Sequence, residues 1–329
     1  MRIFVSLLVL LSLAIGCGSS SPSATSVKAG ASGPLWQDGA IFDEVKALLA
    51  SPGKGSPLWI EMYEFGRSDL ASSLIEAHQR GIDVRLIVDP KVEVSQKTAN
   101  SLSSAGIPVR FYPDDDRRYQ IDHAKLLYTD AGALVGGMNW GGNSANNHDY
   151  ALLTRDQAEL LHLKAIFEQD WAIAGGLPGP VAVGVESVVQ TTPGEEIRNR
   201  LEKSINVAEQ SIEIEMYTLT DGAIVNDLAA AHYRGVRVEV IVDPRQQVNR
   251  RAVSDLQAAG IEVRKYPAPS GTLLHAKIGL FDDQDLILGS ANWTRSGLSA
   301  NHELDVETKN QLATQTFATR FDEDWKRSI

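Results

Sequence analysis

The chain has 329 residues, 43% of them hydrophobic and 22% charged, the balance of a soluble globular protein long enough for about two domains. Acidic residues outnumber basic ones by 42 to 31, which argues against long-range attraction to polyanionic nucleic acid as the main task. A single cysteine, Cys17, excludes an intrachain disulfide framework and any multi-cysteine zinc or iron–sulfur centre.

Met1-Arg2, an apolar run from Ile3 to Ile15 and then Gly16-Cys17 read as a secretory signal peptide over residues 1–16. The run is shorter than the about 20 residues a membrane-spanning helix needs. Leu13-Ala14-Ile15-Gly16-Cys17 resembles a bacterial lipobox. That resemblance implies that Cys17 is acylated and becomes the amino terminus after cleavage. Residues 17–35, rich in Ser and Gly at their start, then read as a flexible tether between a membrane and a globular body. The expected location is the bacterial cell envelope, and Gly18 after the cysteine would suit the outer membrane of a Gram-negative cell. Cleavage removes Arg2 and no other charged residue, so the mature body is more acidic still.

Beyond the tether one pattern is written twice, at an offset of 154 residues. Ile60-Glu61-Met62-Tyr63 recurs as Ile214-Glu215-Met216-Tyr217, Val88-Asp89-Pro90 as Val242-Asp243-Pro244, and Asp170-Trp171 as Asp324-Trp325. Six of the seven histidines fall into pairs: His78 with His232, His123 with His275, and His148 with His302. A repeat this long is a duplicated domain rather than a solenoid. The expected boundaries are a first domain over 36–174, a Gly- and Pro-rich linker over 175–194 and a second domain over 195–329.

In chain order each copy begins with a buried strand, Leu58–Tyr63 or Ser211–Tyr217. A helix follows, with Ser68 or Thr220 as its expected N-cap and Gly81 or Gly235 at its left-handed end. The next strand, ending at Val88 or Val242, is stopped by Asp-Pro, since proline cannot donate to a ladder. A shorter helix to Gly106 or Gly260 and a strand to Tyr112 or Tyr266 come next. After them lies an apolar hairpin, Lys125–Tyr128 with Ala133–Gly136, or Lys277–Phe281 with Leu286–Gly289. One more strand and a helix through Trp171 or Trp325 close the copy. This alternation predicts an α/β fold, each copy a mixed sheet with helices on both faces.

The hairpins carry the chemistry. The first copy reads His123-Ala-Lys125-Leu-Leu-Tyr-Thr-Asp130, then Gly136-Gly137-Met138-Asn139-Trp140; the second reads His275-Ala-Lys277-Ile-Gly-Leu-Phe-Asp282, then Gly289-Ser290-Ala291-Asn292-Trp293. Residues i and i+2 of a strand share a face, so each copy presents an imidazole beside an ammonium. Copies packed about a pseudo-twofold axis would bring both pairs to one cationic spot at their interface, suited to an anion. The two HxKxxxxD motifs, each followed by G-[GS]-x-N, resemble those of the phospholipase D superfamily over essentially the whole mature body.

The resemblance implies two tandem phospholipase D-like domains and a phosphodiester substrate. Lys125, Lys277, Asn139 and Asn292 would hold the non-bridging oxygens. One histidine would attack phosphorus and the other would protonate the leaving group and then activate water or an alcohol. The resemblance assigns the attack to His123 and the acid–base work to His275. It also implies that an acid in Asn-His-acid, Asp149 or Glu303, orients a catalytic ring, with His148 and His302 in supporting positions. Asp130 and Asp282 complete the signature, although Asp is also common at strand ends for its own backbone hydrogen bonds.

No cofactor and no metal is implied. The expected substrate is a phospholipid, met by a monomer held at the membrane through its lipid anchor and acting by hydrolysis or phosphatidyl transfer. Nucleic acid is disfavoured by charge, and the alternative is an envelope or secreted endonuclease of the same superfamily.

Overall fold

The computed structural model describes residues 34–113 and 120–329. The signal peptide, Cys17 and almost all of the expected tether lie outside them. In the first half, β2 (Pro57–Met62) is apolar and buried, and α2 (Ser68–Gln79) carries the chain back so that β3 (Asp83–Val88) lies parallel to it. The return needs a left-handed residue, supplied by Gly81 at φ 83°. The crossover α3 (Glu93–Ser104) adds β4 (Val109–Phe111), parallel to β3. On the other side of β2 the chain runs antiparallel through β5 (Lys125–Thr129), β6 (Gly132–Gly136) and β7 (Tyr150–Thr154), and β1 (Leu35–Gln37) closes the edge. The seven strands lie in the order β1-β7-β6-β5-β2-β3-β4.

The second half repeats this plan with β9 (Ser211–Met216), α6 (Gly222–Tyr233), β10 (Arg237–Val242), α7 (Arg250–Ala258) and β11 (Glu262–Lys265). The hairpin β12 (Lys277–Phe281) and β13 (Asp285–Gly289) and the strand β14 (Leu304–Thr308) follow. Its outer edge is β8 (Val188–Gln190), in the order β11-β10-β9-β12-β13-β14-β8. This β8 falls within the stretch 175–194 expected as a linker. Val188 and Val189 are buried there, so apolar burial ties that segment to the second sheet.

The helices cover both faces, and α4 (Gln157–Ile173) and α9 (Gln311–Arg327) tie the halves together. Helix α4 packs on β5, β6 and also β8, while α9 packs on β9, β12, β13 and also β1. One continuous apolar core therefore joins Trp59, Leu126, Leu152 and Phe167 to Ile278, Leu288, Phe317 and Phe321. Each half keeps its own outer core beneath helices such as α1 (Ile41–Ala50) or α5 (Glu196–Val207).

Two expected caps are corrected. Ser68 is the first residue of α2, and no side chain caps that helix. Helix α6 is capped by Asp221, which accepts from Ala223 N and Ile224 N. Thr220 is not its cap, because the tight turn places Asp221 one residue nearer the free N–H groups.

The glycine opening each G-[GS]-x-N run is a steric requirement. A Cβ on Gly136 would overlap Tyr150 O and come within 2.6 Å of Ala151 Cα, where β7 crosses. Gly136→Ala should therefore cost about 2 kcal/mol or more of stability in urea unfolding. At Gly142 a Cβ meets nothing within 4 Å, and Gly142→Ala should stay within about 0.5 kcal/mol of the parent.

Candidate active site

Each HxK segment enters its sheet at the lysine, the first residue of β5 or β12. Just before it, Asp89 Oδ2 accepts from Asp122 N at 2.8 Å, and Asp243 Oδ2 from Leu274 N at 2.8 Å. The Asp-Pro that stops β3 or β10 thus also grips the lead-in to the HxK histidine. The lead-ins then pair with the opposite half. His123 N donates to His302 O at 2.8 Å and His302 N to Ile121 O at 2.8 Å. His275 N donates to His148 O at 2.8 Å and His148 N to Leu273 O at 2.8 Å.

The side chains cross in the same way. His123 Nδ1 lies 2.8 Å from Glu303 Oε2, and His275 Nδ1 lies 2.7 Å from Asp149 Oδ2. Each ring is therefore oriented by the acid of the other half. Glu303 also accepts from Ser290 Oγ at 2.6 Å and Asn301 Nδ2 at 2.9 Å, and Asp149 from Tyr150 N at 2.9 Å. A Cβ on Gly137 would overlap Asp149 Oδ1, which explains why the first copy has glycine where the second has Ser290.

Both lysines fold back on the histidine two residues earlier. Lys125 Nζ donates to His123 O at 2.5 Å, and Lys277 Nζ to His275 O. Lys277 Nζ also lies 3.1 Å from each ring nitrogen of His275. Tyr63 packs its ring 4.7 Å from His123 and Tyr217 packs 4.8 Å from His275, with each lysine ammonium 5.1 Å from its tyrosine ring. Asn139 and Asn292 hold equivalent places after β6 and β13, and in both the Oδ1 is buried without a donor.

Two HxK motifs, each with a carboxylate from the opposite half, now define the site. The family described as "Cardiolipin synthase, PLD-like domain" matches residues 48–171 and again residues 201–325. The chain belongs to the phospholipase D-like family.

Among similar curated proteins, "Probable cardiolipin synthase YwiE" of Bacillus subtilis is 25% identical over 83% of this chain and 62% of its own length. Cardiolipin synthase B of Shigella flexneri is 26% identical over 75% of this chain and 68% of its own length. The human mitochondrial cardiolipin hydrolase is 28% identical over 41% of this chain and 53% of its own length. The chain thus spans about three-fifths of the Bacillus relative and about half of the human one. Among solved structures, phosphatidylserine synthase of Haemophilus influenzae shares the fold, with a TM-score of 0.68 over 90% of this chain and 87% of that one at 11% identity.

The site of this phospholipase D-like chain is buried and its fields overlap. Burial, then Lys277, push the His275 pKa down to about 4. Burial also lowers that of His123, against the pull of Glu303, and both lysines add to the lowering. Burial brings Lys125 down to about 7 and Lys277 to about 8. Against its own burial, Glu303 is held below the ordinary carboxylate range by His123, Lys125 and Ser290. Each lysine opposes protonation of both rings, so the two HxK motifs lie within electrostatic reach of each other.

Asp130 and Asp282 stand apart from it, a correction to their candidacy as catalytic residues. Each follows a five-residue strand begun by the lysine, which sets it roughly 17 Å away along the chain. Asp130 is exposed. Asp282 accepts from Glu209 N, Gln210 N and Ser211 N, a turn-fixing role. The roles of Tyr63, Tyr217, Ser290, Asn301, Asp89 and Asp243 escaped the sequence reading, although the tyrosines and Asp-Pro residues recur in both copies.

Linkage fixes a pH response. The His275 ring, at about 4 when folded and near 6.5 otherwise, takes up a proton on unfolding between those values. Its contribution is present above pH 6.5 and is lost as pH falls through about 4. Urea unfolding across that window should show a smaller loss of stability for His275→Asn than for the parent. Equal losses would mean that the folded ring titrates normally.

Proposed function

We propose that this chain cleaves the phosphodiester of a phospholipid, or transfers its phosphatidyl group to an alcohol, through a phosphohistidine. The reading is carried by one observation, the two crossed imidazole–carboxylate pairs at a shared pair of lysines. A bound phosphodiester supplies the negative charge that the buried lysines lack, and the lysines offset the charge that develops on the non-bridging oxygens. In this reading no metal ion is needed at phosphorus. Asn139 and Asn292, each with an unmet polar atom, would complete the phosphate contacts when the amide turns its NH2 inward.

In the first step the Nε2 lone pair of a neutral imidazole forms a bond to phosphorus. The bond to the leaving oxygen breaks, and that oxygen takes the proton of the second imidazole. In the second step that imidazole removes a proton from water or an alcohol, whose oxygen attacks phosphorus as the P–N bond breaks. The carboxylates keep Nδ1–H in place so that Nε2 faces the reaction.

The resemblance gives the attack to His123. A specific observation favours exchanged roles: each ring faces a carboxylate, but Lys277 Nζ also lies 3.1 Å from both nitrogens of His275 and opposes its protonation, whereas Lys125 Nζ donates to the His123 carbonyl. Lipid as substrate is supported by the two cardiolipin synthases and the cardiolipin hydrolase among the relatives and by the acidic charge. Anchoring through Cys17 would keep the site at a membrane surface, and no described helix is long and apolar enough to cross one.

Purified protein should release headgroup or form a transfer product from phosphatidylcholine or cardiolipin vesicles while leaving plasmid DNA intact. DNA nicking without lipid turnover would sink the lipid reading, and turnover of neither would sink the enzyme reading. His123→Asn and His275→Asn should each lower kcat by on the order of 1000-fold. With substrate labelled in its phosphatidyl part, His275→Asn should accumulate label on the protein and His123→Asn should not. The reverse pattern establishes the exchanged roles, and label in neither variant removes the covalent step. In a host that processes lipoproteins, Cys17→Ala should move the protein from the membrane to the soluble fraction.

A further inference from the structure

Behind the catalytic rings lie two buried clusters, built alike but charged differently. Around His148 are Glu215, Asp324 and Asp38, with Arg320 donating to Asp324 at 2.7 Å and to Asp38 at 3.2 Å. Both ring nitrogens face carboxylates, so an imidazolium fits there. Around His302 are Glu61, Asp122 and Asp170, and all four side chains are 0% exposed. No Lys or Arg among the described residues makes an ion pair with these three acids. The position equivalent to Arg320 is Ile166 and, by strand register, the position equivalent to Asp38 is Thr191. Leu274, which pairs with His148 as Asp122 pairs with His302, carries no charge.

Three features of the His302 cluster point to a ligand. Neither Glu61 carboxylate oxygen has a hydrogen-bond donor, nor does Asp122 Oδ2. Such buried, unmet carboxylates cost several kcal/mol each unless something neutralises them (roughly, for a charge taken out of water). His302 Nδ1 donates to Thr192 O at 2.6 Å, which fixes the ring with Nε2 turned towards the acids, the orientation in which metal-binding histidines are held; without an ion Nε2–H donates to Asp170, and an ion would displace that proton. Finally, the spacing fits. Nε2 lies 3.1 Å from Asp170 Oδ2 and 3.4 Å from Glu61 Oε1, and ligand atoms of Glu61, Asp122 and His302 all lie within 4.8 Å of one another. Ligands placed tetrahedrally about an ion at about 2.1 Å are roughly 3.4 Å apart.

We propose that His302 Nε2 with the carboxylates of Glu61 and Asp122 forms a binding site for one divalent transition-metal ion of the zinc or manganese kind, with Asp170 beside the ring. The ion would not touch substrate. It would join β2 and the lead-in to His123 from the first half to His302 of the second. The carbonyl of His302 takes the His123 N–H, and the next residue, Glu303, orients the His123 ring. Binding forms bonds from Nε2 and the carboxylate oxygens to the ion and releases to solvent the protons those groups carried without it, so affinity falls as pH falls. The cluster around His148, with Arg320 in place, would take none.

The test is the metal content of tag-free full chain, purified from cells supplied with zinc or manganese and read by inductively coupled plasma mass spectrometry. Thermal unfolding is followed alongside, with chelator and with the ion restored. About one ion per chain is expected, together with a Tm lowered by chelator and recovered with Zn2+ or Mn2+. Glu61→Gln should lose the ion. Asp122→Leu, which copies the tolerated Leu274, should lose it too and keeps the test open should the first variant not fold. Glu215→Gln should retain it. Metal below about a tenth of an equivalent in the parent with no Tm response, or metal undiminished in both Glu61→Gln and Asp122→Leu, overturns the proposal; the first result would leave shared protons as the means of neutralising these acids.

Discussion

The whole site depends on a reciprocal exchange of backbone and side-chain hydrogen bonds between the halves. The segment carrying each HxK imidazole borrows its main-chain partner and its carboxylate from the opposite copy. Neither half alone contains an HxK histidine together with its carboxylate. A shift of one half by an ångström would lengthen both crossed pairs at once, and hydrogen bonds weaken steeply with such distortion. The shared core between α4 and α9 supplies the stiffness that this tolerance demands, because close-packed interiors transmit displacement rather than absorb it.

Charge sets a second constraint. His123, Lys125, His275, Lys277, Asp149 and Glu303 are all buried, and a buried ion is stabilised only when it is paired and its remaining hydrogen bonds are met. Each carboxylate here has an imidazole and further donors, but the ammonium groups rest largely on backbone carbonyls and tyrosine faces. Burial accordingly holds both lysines well below their usual proton affinity. An anion that displaces water and meets both ammonium groups raises that affinity again, so binding of the substrate and charging of the lysines favour each other. The site is preorganised for negative charge even though the protein as a whole is acidic.

Much of this was legible in the sequence because it rests on periodicity and repetition. His123 and Lys125 share a strand face for the same reason that any i and i+2 do, and the duplication announced that two such faces exist. The acids Asp149 and Glu303 were also legible, from their position after an Asn-His step. Which ring each serves was not, because spacing along the chain says nothing about an exchange between copies. Asp130 and Asp282 were drawn towards the site by belonging to the signature, while strand geometry carries them to the other end of the hairpin. Ser68 and Thr220 have capping chemistry, yet tertiary turns decided where α2 and α6 begin. The valines of β8 lay in a Gly- and Pro-rich stretch whose composition masked an edge strand.

Duplication also creates a difficulty for the proposed reaction. Two identical copies would surround the two imidazoles identically, whereas the proposed attack and proton donation would require one neutral and one charged ring at the same pH. The copies therefore have to differ near the rings, and the differences are concentrated there. Ser290 supports Glu303 where Gly137 makes room for Asp149. Asp305, whose carboxyl burial pushes up to about 7, stands beside the G-[GS] step of β13 where Ala151 stands beside that of β6. Glutamate with three donors serves His123 and the shorter aspartate serves His275. Further out, Asp122 faces Leu274 across the pseudo-symmetry, and Arg320 faces Ile166. Asp305, Asp122 and Arg320 change the local charge while leaving the strands in register, so the duplicated backbone places the two rings in equivalent settings whose surrounding side chains differ.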